Sequence, residues 1–77
     1  MSISKNSIRK ILKENTTLKI SPRAVEELRR LLVDLAIDIC HTAERVTISS
    51  KRKVINETDI NIAFYNVIDL KNKELIE

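Results

Sequence analysis

Apolar residues recur along this chain at spacings of three and four, and two polar stretches interrupt the recurrence. Ile8, Ile11 and Leu12 open it, and Lys5, Arg9, Lys10 and Lys13 fill the surface between them. This predicts a short helix over Ser4–Glu14 with Ser4 as its N-cap. Asn15-Thr16-Thr17 then competes for backbone hydrogen bonds, and Leu18-Lys19-Ile20 alternates as an extended segment does. Ser21-Pro22 marks the next start, because serine caps well and proline at the first helical position gives up only an amide that has no partner there. From that point Ala24, Leu28, Leu31, Leu32, Leu35, Ile39, Ala43 and Val46 form one stripe with no breaker before Ser49-Ser50. The stretch predicts a helix of about 27 residues, about 40 Å long.

Val25, Val33, Ala36, Ile37, Cys40 and Ile48 lie off that stripe. They widen the apolar surface beyond what two shorter helices can cover, which makes a second subunit the natural cover. After the loop Ser49-Ser50-Lys51-Arg52-Lys53 and a second extended pair, Val54-Ile55, a third helix opens at Asn56. Asp59 follows three residues later, an N-x-x-D variant of the capping box with an acid at the positive end of the helix dipole. Ile60, Ala63, Phe64, Val67 and Ile68 make its apolar side. Residues 69–77 either continue it or fray, with Leu70 and Ile76 as isolated anchors.

With 77 residues the chain builds one small core, and cores of this size usually need a disulfide, a metal or a second subunit. A single cysteine, Cys40, excludes an intrachain disulfide, and Cys40 with His41 alone makes no zinc site, so no metal and no cofactor are expected. Cys40 is expected as a small core residue. Glycine is absent, which excludes every glycine-rich phosphate cradle. Asp34 and Asp38, with Glu26, Glu27 and Glu44, read as solvated helix acids, and no pocket chemistry is implied, so no catalytic residue is assigned and no enzyme is expected. Phe64 and Tyr65 are too few for a single-strand stacking platform. The longest apolar run, Leu31–Cys40, is cut by Asp34 and Asp38, and Met1–Lys5 lacks the apolar stretch of a signal. A soluble intracellular protein with no membrane partner is expected.

Charged residues make up 32% of the chain, which by itself describes a solvated helical surface. Their distribution changes the picture. Residues 1–30 carry eight Lys/Arg against three acids, 31–50 one against three, and 54–77 two against five, while 51–53 are Lys-Arg-Lys. Two basic clusters therefore flank the long apolar helix.

Three segments, SIRKILKE, KISPRAVEEL and KRKVINETDINIAF, carry a resemblance to the archaeal histones over residues 7 to about 66 without insertion. Arg52-x-Val54-x-x-x-x-Asp59 stands where that family has its R-x-T-x-x-x-x-D signature. The resemblance implies an all-α histone fold over residues 1–68 (short helix, long central helix, short helix), a C-terminal extension over 69–77, and a handshake homodimer. In it each first loop lies beside the partner's second loop. It further implies sequence-tolerant binding and compaction of double-stranded DNA through the phosphate backbone, the protein being cytoplasmic and associated with the chromosome or nucleoid. Carried over by position, Lys10, Lys13, Lys19, Lys51, Lys53 and the backbone amide of Val54 are the DNA-binding residues, and Arg52 pairs with Asp59 to hold the second loop. Lys51 stands where glycine is common, a residue tolerant of positive φ. Val46, Ser49, Asp59 and Ile62 mark the family's dimer-to-dimer surface, with Ser49 in place of a usual histidine. Tetramers and heterodimers with another histone both remain open. The alternative reading is a histone-fold adaptor or transcription-complex subunit that holds proteins, which Val54 in place of threonine favours and the loop lysines disfavour. A helix-turn-helix protein is disfavoured by the length of the central helix.

Overall fold

The computed structural model describes residues 3–76, and in it the chain forms three helices: α1 (Lys5–Asn15), α2 (Pro22–Ser49) and α3 (Glu57–Ile76). The helices begin where their caps dictate. Ser4 Oγ accepts from the Asn6 amide, and Ser21 Oγ accepts from the Ala24 amide at 3.0 Å with Pro22 as the first helical residue. Before α3, Asn56 Oδ1 accepts from the Asp59 amide while Asp59 Oδ2 accepts from the Asn56 amide, both at 3.0 Å, a reciprocal box that satisfies two end donors.

α2 ends at Ser49, where Ser49-Ser50 was expected to stop it, and the backbone geometry supplies the reason. Lys51 N–H bonds Ile48 O at 2.9 Å and Arg52 N–H bonds Thr47 O at 3.1 Å, the paired contacts of a Schellman motif. Lys51 takes the left-handed position at φ 60°, which glycine usually fills. A lysine thus ends the helix by adopting the conformation that a side chain resists.

α3 runs on through the segment that was expected either to continue the helix or to fray, with no break near residue 68. Nothing in residues 69–76 breaks a helix, Lys73 sits in the last turn where it complements the dipole, and Lys71 Nζ reaches Asp38 Oδ2 on α2 at 3.3 Å. α3 therefore has 20 residues against 11 in α1, so the two flanking helices are unequal. Leu18-Lys19-Ile20 and Val54-Ile55 form no strand among the described residues.

The packing divides between Asp34 and Leu35 into two compact units, each holding part of α2. In the first, Ile8 and Val25 are the fully buried apolar side chains, and Lys5 Nζ meets Glu26 Oε2 at 3.0 Å to tie α1 to α2. In the second, Ala43, Ala63 and Val67 are buried together with the polar pair Thr47 and Asp59. The expected burial needs correction. Val25, placed off the stripe, is buried while Ala24 and Leu31 on it are exposed, and Cys40, expected in the core, is exposed. A helix with apolar residues around most of its circumference fits several packing registers, and only contact with the neighbouring helix selects one.

Candidate nucleic-acid interface

Basic side chains collect at both loops, one in each unit. Beside the first loop, Arg9, Lys13 and Lys19 line a groove of about 570 Å³ with Leu18, Ile20 and Pro22 as its apolar remainder. Helical spacing puts Arg9 and Lys13 one turn apart on one face of α1, and the chain returning from Thr16 brings Lys19 beside them. Lys10, expected among the contacts, is exposed but does not line that groove, since the next residue along a helix turns about 100° away. Arg9 does line it and was not singled out from sequence; the i, i+4 spacing to Lys13 was the available signal.

The second loop is shaped by one ion pair. Asp59 is 1% exposed, yet its carboxylate accepts four hydrogen bonds. Arg52 donates to it through Nη2 at 2.6 Å and Nη1 at 2.9 Å, Thr47 Oγ1 donates at 2.7 Å, and the Asn56 amide donates at 3.0 Å. Thr47 Oγ1 also lies 2.9 Å from Ala43 O, but it has one proton, and the charged, nearer acceptor takes it. The Arg52 guanidinium, then the Asn56 amide and the Thr47 hydroxyl, hold the Asp59 carboxyl well below the usual carboxylate range, against the burial that would raise it. Arg52 is raised in turn by its bond to Asp59. Arg52 Nη1 also reaches Val54 O at 3.3 Å, so one guanidinium fixes the chain on both sides of Lys53.

Lys51, Lys53 and Val54 are thereby displayed at the surface. Val54 is 74% exposed and its amide donates to nothing among the described residues, which leaves that donor free for an anion. Lys10, Lys13, Lys19, Lys51 and Lys53 enter no ion pair among the described residues. Other cations are committed internally: Arg29 to Glu26, and Arg30 to Glu27 and Asp34. Arg29, with Lys5, lowers Glu26 to about 2, and Arg30 lowers Glu27.

Of the residues expected at a dimer-to-dimer surface, Val46 and Ser49 line a shallow groove with Thr42, Arg45 and Asn66, and Ile62 is 44% exposed outside it. Asp59 is buried, and its carboxylate accepts from Arg52, Thr47 and the Asn56 amide of its own chain. Cys40 and His41 are both exposed, and no group of three or more His, Cys, Asp and Glu among the described residues is placed to hold a metal ion. No helix among them is long and apolar enough to cross a membrane.

No curated protein matches the chain. A family model does, over residues 1–64, which takes in α1, α2, both loops and the first turns of α3; the family it describes is in general DNA-binding, dimer-forming and non-enzymatic. With its helix order, its two basic loops and the Arg52–Asp59 pair inside the matched region, this chain belongs to the family of histone-like transcription factors (CBF/NF-Y) and archaeal histones.

Proposed function

We propose that the protein binds double-stranded DNA without reading its base sequence, as a homodimer that grips the phosphate backbone and compacts the chromosome or nucleoid. The observation that carries this reading is the set of lysines at the two loops left without acids: Lys13 at the end of α1 with Lys19 in one groove, Lys51 and Lys53 around the loop that Arg52 and Asp59 hold. Lys10 adds charge on the flank of α1. Unpaired cations at two loops suit a ligand with regularly spaced negative charge, and the planar groups beside the loops, Asn15, Arg52 and Asn56, are taken up by bonds within the chain rather than turned to base edges. The homodimer is supported by apolar surface that α2 leaves open: Ile48 is 64% exposed, Leu31 50% and Ile37 41%. A helix with apolar residues around much of its circumference needs cover on more than one side, and a second subunit supplies it.

A second reading, a protein-holding subunit of a transcription complex, is favoured by one feature: an apolar Val54, 74% exposed, in the second loop. Affinity for two unrelated duplexes of equal length, measured across a salt series with the mass in solution recorded alongside, separates the two. Equal affinities with a steep negative salt slope, from a dimer or a larger assembly, are expected. No binding at low salt would transfer the assignment to the protein-holding reading.

A further inference from the structure

We infer that Arg9 is a phosphate-binding residue, and that with Lys13 and Lys19 it makes the groove beside the first loop a seat for the phosphodiester backbone. The inference rests on the DNA-binding reading and adds to it a residue that neither the resemblance nor the family match assigns. Its basis is charge that the chain itself leaves uncompensated. Three cationic side chains line one concave surface, and no carboxylate lines it with them. Arg29, Arg30 and Arg52 each hold a carboxylate at 2.6 to 2.7 Å, whereas Arg9, half-buried in the first unit, holds none among the described residues.

Like charges gathered over apolar walls repel one another, and the walls focus their field, so an external anion is the counterpart that settles them. The chemistry selects among anions. A guanidinium offers two parallel N–H donors matched to two phosphate oxygens, while lysines act as point charges on either side. Phosphate groups in a row, as along a duplex, reach all three cations, and Arg9 supplies the directional contact among them.

The test compares Arg9→Gln, Arg9→Lys and Lys73→Gln with the native chain on one duplex across a salt series. Lys73 is exposed, forms no ion pair among the described residues and lies far along the sequence from the groove, so its replacement matches the charge change alone. R9Q is expected to weaken binding about three- to tenfold and to lower the salt slope by about one. R9K is expected to restore the slope and only part of the affinity, which also keeps the test open if the glutamine variant folds poorly. K73Q is expected to bind as the native chain does. An R9Q curve superimposing on that of K73Q overturns the assignment of Arg9 and leaves the DNA-binding reading standing; a native chain that binds no duplex overturns both.

Discussion

A carboxylate that is 1% exposed stays charged only when its lone pairs are filled, and Asp59 fills them with two guanidinium donors, a hydroxyl and an amide. Asp59→Asn replaces one acceptor oxygen by a donor that faces donors and strands the Arg52 charge. A loss of about 3 kcal/mol in unfolding free energy is expected, toward the low end for a broken buried pair because Arg52 is 38% exposed. Urea unfolding at fixed chain concentration measures it, and a loss below about 1 kcal/mol would mean that the pair does not hold the loop. The same residues set the acid response. Asp59 and Glu26 both titrate lower in the folded chain than at their ordinary 3.8 and 4.5, so the unfolded chain takes up protons first. Stability is therefore complete above about pH 4.5 and declines as the pH falls toward about 2, with the contribution of Asp59 lost last. Asp59→Asn should flatten the acid end of that curve. Glu26→Gln should have a weaker effect, since Glu26 is 45% exposed and screened by water.

At the level of the element, the end of α2 is the place where local preference and structure disagree. Lys51 occupies a left-handed conformation that costs a residue with a Cβ about 1–2 kcal/mol, against an unfolded-state entropy cost of about 0.5–1 kcal/mol for glycine. Lys51→Gly is expected to stabilise the chain by about 0.5–1 kcal/mol, read as a shift in the urea midpoint. Lys51→Ala should gain nothing, and a less stable glycine variant would show that the turn carries no strain. The helix starts were legible in the sequence because a cap is a local pattern: Ser4, Ser21-Pro22 and Asn56-x-x-Asp59 act through atoms within three residues of one another. The spacing from Arg52 to Asp59 was legible through the family signature. The stop of α2 was legible at Ser49-Ser50, but the Schellman turn that makes it was not, since one built on lysine leaves no compositional mark. The choice of Val25 over Ala24 for burial, and the exposure of Cys40, depend on which helix lies alongside, and spacing alone does not carry that. Arg9 was passed over because a basic residue on a basic helix face stands out only once Lys19 is brought beside it.

For the whole molecule, the buried apolar set is small: Ile8, Val25, Ala43, Ala63 and Val67. A core with two alanines among five residues offers little stabilisation by itself, since a fully buried large aliphatic side chain contributes about 1.5–3 kcal/mol. Under the proposed homodimer the remainder comes from Leu31, Ile37 and their neighbours, and the unfolding midpoint should rise with chain concentration. Ile37→Lys places a charge in that surface. It is expected to abolish the concentration dependence and to lower the mass seen by sedimentation, whereas a variant of unchanged mass would put the contact elsewhere on the chain.

The exposed Cys40 gives that question a chemical handle. Each chain carries one thiol, set within α2 and therefore held on rigid backbone. If a second copy lies over this helix, the thiol is shielded in the assembly and open in the free chain. Alkylation of the unaltered protein should then slow as it is concentrated and quicken on dilution, and in the regime where dissociation is the slow step its rate is the rate at which subunits part. The native sequence thus contains its own clock for subunit exchange, with no engineered label.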